Sequence, residues 1–582
     1  MTVSIDVVEE FLKQNSLTIF FMTAHQGNQP ESTQQPEQQR FRVGNVRHLS
    51  EAIVCLALAV ILFRTFQVEG YMISTGSMAP ALLGYHKRVI CPTCEYPFTF
   101  GTAYDDSVTQ QTARADGSIK PQANAACPNC GQHSIDLSRV PRNDGDQLLV
   151  QKQAYQAPLR MPRRWEVVVF RNPMSPSQAY VKRLVGLPGE EIQVQEGDLY
   201  VNGKLERKDL PTQRHIAIPV YDNRYQPEDD PLWKPRWYAE ESSEDLVNWQ
   251  TEKNGFRIEA TESLEQSSWL KYRHWIRSGG FHKTTVVIPP EVEVADLIDE
   301  FTSPLSYEEE RRELTCLGAM PIAIVQKLLA KSTDKTFDTV LYQLYEDSHV
   351  VPISDIYGYN RAQGGTKSLP VHDLIFAGDV SVLAGDGQLM LRMTDGRHWF
   401  RCVFDFDTRK ARLLVDDLPK PLRTAEIPET VQQGSTWRLE MSLIDRQVLL
   451  AIDGKLLFAP VLYQNKTENI EPLRRPVECG VAGLDLKLTD LQLLRDVHYT
   501  RGRAKHGIEK PYELGPDEYF MLGDNSPVSL DSRSWTDAAV PGHLLLGKPL
   551  MVHLPSKPGS LKIGNSVAHF RIPDVSRMRY IR

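Results

Sequence analysis

Short runs of strand-forming residues, each closed off by Pro, Gly or Asn, constrain this chain more than any other feature. LLVQK (148–152), EVVVF (166–170), YVKRLVGL (180–187) and EIQVQEGDLYVNGK (191–204) are rich in Val, Ile and Tyr. β-Branched and aromatic residues between turn formers predict strands joined by hairpins. The same texture returns only at DEYFMLGDNS near residue 517 and continues through KPLMVHLP. The fold class predicted is mainly β.

About three hundred residues of different character separate the two parts. Their first portion is acidic and carries Trp233, Trp237, Trp249, Trp269 and Trp275, which are expected in a core. EEERRELTCLGAMPIAIVQKLLAK reads as helical. From about residue 350 alternation resumes. In WRLEMSLIDRQVLLAIDGKLLF, Trp437, Leu439, Met441 and Leu443 share one face, with turns at Asp445-Arg446 and Asp453-Gly454. WFRCVFDF repeats the pattern through Phe400, Cys402, Phe404 and Phe406. A β-sandwich follows, in a layout that resembles concanavalin-like jelly rolls.

Ahead of the core, Ala52–Phe63 is apolar and reaches Val68 if Arg64 snorkels, close to the roughly 20 residues that cross a bilayer. A short buried helix is the other reading of such a run. Arg40, Arg42 and Arg47 precede it, and after Arg64 no basic residue comes before Lys87. This asymmetry predicts a single span with the N-terminus inside and the rest outside. Residues 1–48, Gln-rich around QGNQPESTQQPEQQ, predict a disordered tail, within which Met22 could be the true start. The organisation expected is a tail (1–48), a membrane helix (49–68), a catalytic core in three pieces (69–90, 141–205 and 501–560), a cysteine-knuckle insertion (91–140), a mixed insertion (206–345), a β-sandwich insertion (346–500) and a C-terminal tail (561–582). A net charge of −8 over 582 residues, with the basic side chains scattered, excludes a nucleic-acid binder.

Chemistry concentrates in a few blocks. GYMISTGSMAPALLG (70–84) places Ser77 in a small flexible turn just after the apolar segment. Serine needs a base to take its proton. No histidine falls in the ordered blocks, whereas Lys182 sits in an otherwise apolar strand, where desolvation favours the neutral amine. Taken in order, STGSMAPALL, GDQLLVQK, EVVVFRNP with YVKRLVGLPGEEI, and MLGDNSPVSLDSR closely resemble the sequence boxes of bacterial type I signal peptidases. The resemblance spans a quarter to a third of the chain.

That resemblance implies a signal-peptidase-type β core after one transmembrane helix, anchored in the bacterial cytoplasmic membrane with its catalytic domain outside. It implies Ser77 as nucleophile, Lys182 as general base and Ser529 as the hydroxyl that orients the amine. Asp524, Asp531, Arg183 and Arg533 correspond to charged positions that brace the site, and Ser77 N–H with the Thr75 hydroxyl to the oxyanion donors. The substrates implied are exported preproteins with small residues at −1 and −3, and no cofactor is implied for catalysis. Where the family continues from Ser-Arg with an aromatic and Gly, this chain reads Ser534-Trp535-Thr536. A self-cleaving repressor-type protease is disfavoured by the missing DNA-binding domain. A catalytically retired scaffold, whose sandwich binds an envelope glycan or protein, is the alternative.

Cys91, Cys94, Cys127 and Cys130 form CPTC and CPNC, a pair of knuckles suited to one structural zinc, with disulfides as the alternative. Cys316, Cys402 and Cys479 have apolar surroundings and are expected to be buried free thiols, while Cys55 lies in the apolar segment.

Overall fold

The computed structural model describes residues 41–102, 125–155, 161–228, 230, 233–239, 249–259, 267–280, 282–294, 297, 300–360, 368–464, 470–502, 504–553, 555–563 and 566–581. The expected tail lies, through residue 40, outside these, as does Met22. The chain divides into two units, Met1–Phe63 and Arg64–Arg582.

A helix begins at Phe41 and runs to Phe66, earlier at both ends than the expected 49–68, and Val68 already opens a strand. Leu49, Ile53, Val54, Leu56 and Leu58 on it are exposed. Among the described residues no helix is long and apolar enough to cross a membrane.

The second unit is mainly β. Its first sheet runs in the order Val68–Met72, Gln147–Gln151, Leu545–Val552, Val167–Asn172, Ser175–Gly186, Glu518–Leu522 and Val540–Pro541, with Arg579–Tyr580 also paired to Leu545–Val552. Every pairing is antiparallel. The predicted strands are therefore found, and Arg579–Tyr580, expected in a tail, belongs to the sheet. Val167, Val168, Val169, Phe170, Leu184 and Val185 are buried, so the EVVVF run serves two faces and shows no polar side. A second small sheet, Lys204–Leu205, Asp198–Val201, Glu191–Gln195 and Tyr512–Glu513, flanks it.

The insertion forms a true sandwich. One sheet centres on Asp485–Arg495, Leu374–Ala384, Thr436–Ile444 and Gln447–Ile452; the other on Ser268–Tyr272, Val477–Ala482, Gln388–Thr394 and Trp399–Asp405. Trp437, Leu439, Met441 and Leu443 from the first meet Phe400, Cys402 and Phe404 from the second in one core, with the Trp437 and Phe404 rings 5.7 Å apart. Each such large side chain stabilises the fold by about 1.5–3 kcal/mol. Both hairpin turns fall where expected, with positive φ at Asp445, Arg446, Asp453 and Gly454, the geometry that matches strand twist. The sandwich is not confined to 346–500: Ile218–Asp222, Gly255–Ile258 and Ser268–Tyr272 also pair into it. Trp233, Trp237, Trp249 and Trp275 are buried as expected, while Trp269 is half-buried under Arg392.

Residues 283–348 make a separate layer of three strands and two helices. The run expected as one helix splits, Glu313–Leu317 being a strand and Ile322–Lys331 the helix. Gly318, at φ +87°, and Pro321 separate the two. Lys208 ties the sandwich to the core. Its buried amine pairs with Asp445 at 2.6 Å and Asp496 at 3.0 Å.

Candidate active site

Ser77 stands in a tight turn stabilised by the Ala79 N–H donating to Gly76 O at 3.1 Å. Met78 and Ala79 behind it are buried, and Ser77 itself is half-buried, so the hydroxyl stays reachable. The strand Ser175–Gly186 carries Lys182 to it: Lys182 Nζ lies 2.5 Å from Ser77 Oγ. Lys182 is 3% exposed, and this burial lowers its amine to about 8 from 10.5. Asp531 and Asp524 oppose the shift, and Arg533 adds to it. A neutral amine in hydrogen-bond contact with a serine hydroxyl can accept its proton near neutral pH.

Three of the bracing charges, Asp524, Asp531 and Arg533, come from the Gly523–Arg533 segment, and Arg183 comes from the Ser175–Gly186 strand beside Lys182. Arg183 grips Asp524 through two bonds of 2.7 and 2.6 Å and donates a third to Trp165 O at 2.6 Å. Arg533 holds Asp531 at 3.0 and 2.8 Å and also donates to Thr500 O and Ser526 Oγ. All four charged residues are buried. Thr75 Oγ1 is exposed, 3.5 Å from Ser77 Oγ, on the side open to solvent.

Two arrangements differ from expectation. The Ser529 hydroxyl is buried without a hydrogen-bond partner of good geometry, so the contact of the Lys182 amine is with Ser77. That hydroxyl lies against Gly523, where a Cβ would stand 2.2 Å from it and 2.5 Å from Ser77 O. Gly76, next to Ser77, was expected to free the turn so that backbone N–H groups come close to substrate. Its bare Cα instead admits the Tyr359 ring, which a Cβ would meet at 2.3 Å.

Asn525 was missed by sequence reasoning. Its backbone N–H donates to Ser77 O at 3.0 Å and its amide to Gly76 O at 2.9 Å. An Asn beside the Asp524 already singled out was the available signal.

The four paired cysteines converge. Their Sγ atoms all lie within 4.8 Å of one another, with Cys91–Cys130 at 3.6 Å and Cys94–Cys127 at 3.7 Å, and all four are buried and unbridged. A tetrahedral zinc with Zn–S bonds of about 2.3 Å has S–S edges near 3.8 Å, whereas a disulfide needs about 2.05 Å. The donor set fits the metal. Cys316, Cys402 and Cys479 are buried free thiols, and burial pushes each of them up.

Residues 139–254 and 444–554 match the family described as signal peptidase, peptidase S26. Lys182 and the Gly523–Arg533 segment fall inside these stretches, and Ser77 precedes them. A protein of Synechocystis sp. named "Probable signal peptidase I-2" is 37% identical over 90 residues, covering 14% of this chain and 40% of the relative. Signal peptidase I of Pseudomonas aeruginosa is 42% identical over 77 residues, 11% of this chain and 27% of the relative. The chain thus spans less than half the length of the curated relatives it matches. Among solved structures, the carbohydrate binding module CBM66 from Bacillus subtilis is 9% identical and covers 21% of this chain and 74% of its own. Caenorhabditis elegans galectin LEC-6 is 10% identical, covering 25% and 90%. At a TM-score of 0.17 neither assigns the sandwich to a fold family. Over these stretches the chain is similar to signal peptidase I proteins and to the family described as signal peptidase, peptidase S26.

Proposed function

We propose that the chain is a membrane-anchored serine endopeptidase that removes N-terminal signal peptides from exported preproteins, with Ser77 as nucleophile and Lys182 as general base. The observation that carries this reading is the 2.5 Å contact between the Ser77 hydroxyl and a lysine amine that burial lowers to about 8.

The neutral Lys182 amine takes the Ser77 proton as Oγ attacks the scissile carbonyl. Negative charge on the former carbonyl oxygen falls to the Ser77 N–H and the Thr75 hydroxyl. Lys182, now an ammonium, gives its proton to the departing amine. The acyl-enzyme is then cleared by a water that Lys182 deprotonates. The buried Arg183–Asp524 and Arg533–Asp531 pairs hold the geometry and touch no reacting atom. Ser529 would steer the amine once substrate displaces the Ser77 contact.

The exposed apolar side chains on Phe41–Phe66 are what support an anchor in lipid. An anchor so close in sequence to Ser77 holds the nucleophile where a signal peptide leaves the bilayer. Cys91, Cys94, Cys127 and Cys130 would hold a structural zinc, a closed four-thiolate site that locks the knuckles together. The sandwich is a candidate for binding an envelope glycan or protein.

The test is cleavage of a preprotein by the detergent-solubilised full chain, with the new N-terminus sequenced. A cut after an A-x-A site that disappears in Ser77→Ala is the expected result. No cut by well-folded wild type across several preproteins would turn the assignment to the retired scaffold.

A further inference from the structure

The segment Asp355–Asn360 lies between the two family-matched stretches, yet it reaches the nucleophile turn. Tyr359 is 7% exposed, and its ring fills the space left by two glycines: a Cβ would meet it at 2.3 Å from Gly76 and at 2.4 Å from Gly101. Its hydroxyl donates to Tyr85 O at 3.2 Å, and its carbonyl accepts from Gly101 N–H at 2.8 Å. Tyr357, on the same segment, donates to Asp524 O at 2.7 Å.

Asn360 completes the contact. It exchanges two hydrogen bonds with Asn525, donating to Oδ1 at 2.8 Å and accepting from Nδ2 at 2.7 Å. The same Asn525 Nδ2 donates to Gly76 O. The peptide between Gly76 and Ser77 is a rigid plane, so fixing its carbonyl fixes the direction of the Ser77 N–H on the other side. That N–H is the backbone donor assigned to the developing oxyanion. An unbroken chain of hydrogen bonds therefore runs from Asn360 through Asn525 to the group that must be aimed before reaction.

We propose that Tyr359 and Asn360 are positioning residues of the nucleophile turn, so that the region between the family-matched stretches aims the oxyanion donor. The proposal rests on the reading of Ser77 as nucleophile.

The test uses the full chain and a peptide substrate, with active sites counted by a serine-directed acylating reagent read by intact mass. Asn360→Ala, at a half-exposed position, lets the Asn525 amide turn away from Gly76 O. Misaim of this kind lowers kcat per labelled site by about tenfold or more, with KM within about twofold. The midpoint of the pH profile stays where wild type has it, because Lys182 is not part of this chain of bonds. Tyr359→Leu, which empties the space between the glycines, shifts kcat in the same direction. Values of kcat per labelled site within about twofold of wild type in both variants overturn the proposal, and so does a loss explained wholly by fewer labelled sites. If Ser77→Ala keeps activity in the same assay, the nucleophile reading itself fails. That outcome is distinct from either of the others.

Discussion

Cleavage by this chain should switch on with rising pH, around a midpoint near 8. Burial is the largest cause that lowers the Lys182 amine to about 8 from 10.5, against the pull of Asp531 and Asp524. At that midpoint the neutral fraction is about 9% at pH 7 and about 1% at pH 6, whereas an ordinary lysine would offer about 0.03% at pH 7. Burial is therefore worth roughly 300-fold in available base at pH 7. The assay is kcat/KM on a peptide substrate at constant ionic strength, from about pH 6 to about pH 10. A single rising limb that levels off above pH 8 is expected. A flat profile, or a rise still unsaturated at pH 10, would refute the reasoning. The same shift has a stability cost with a definite sign. Between pH 8 and 10.5 the unfolded chain keeps a proton that the folded chain has released, so stability rises with pH across that window. Below pH 8 the whole penalty is present, about 3 kcal/mol at roughly 1.4 kcal/mol for each pH unit of difference. Lys182→Met should therefore be inactive yet unfold in more urea than wild type at pH 7, with the advantage gone by about pH 10.5.

Metal analysis of the purified chain should find about one zinc, and chelation should lower its melting temperature; metal-free protein with four titratable knuckle thiols would contradict this. Gly523→Ala puts a methyl against Ser529 Oγ and Ser77 O, so it should cost about 1–3 kcal/mol in urea unfolding and lower kcat more than it changes KM. Arg183→Met strands the buried Asp524 carboxylate and should cost about 3–5 kcal/mol, most of it regained in the Arg183→Met/Asp524→Leu double variant. Additive losses in the double variant would show that the pair does not act as a unit.

Period-two alternation made the strands legible because it reports directly on which face of a sheet is buried. It worked best for Thr436–Ile444, whose inward residues Trp437, Leu439, Met441 and Leu443 are all buried in the sandwich core. It failed at Glu313–Leu317, where the apolar residues Leu314 and Cys316 fit a strand as well as a helix and only the Gly318 break tells them apart. The Ser77–Lys182 contact was legible from the order of the sequence blocks and their resemblance to type I signal peptidases, since a lysine on a strand or a serine in a turn is by itself usually structural. The contributions of Asn525, Tyr359 and Asn360 were not. They depend on the Asn525 amide meeting the Asn360 amide across 165 positions of sequence and the Gly76 carbonyl across 449, and no local pattern encodes such meetings. Domain limits were blurred for a related reason. Gly255–Ile258 and Ser268–Tyr272 are short, and only their pairing with Asp485–Arg495 and Val477–Ala482 identifies them as part of the sandwich.

The order in which the first sheet is threaded sets a schedule for the chain. Lys182 is in place early, but the edge of its strand stays open until Glu518–Leu522 arrives to pair with it, and Ser77 O waits for Asn525. More than three hundred residues must be made in between, and closing so long a loop is slow, since contacts distant in sequence form late. A growing chain therefore carries Ser77 and Lys182 for most of its synthesis without the Glu518–Leu522 strand and Asn525 that brace them. On the function proposed above, such a chain would be idle until nearly complete.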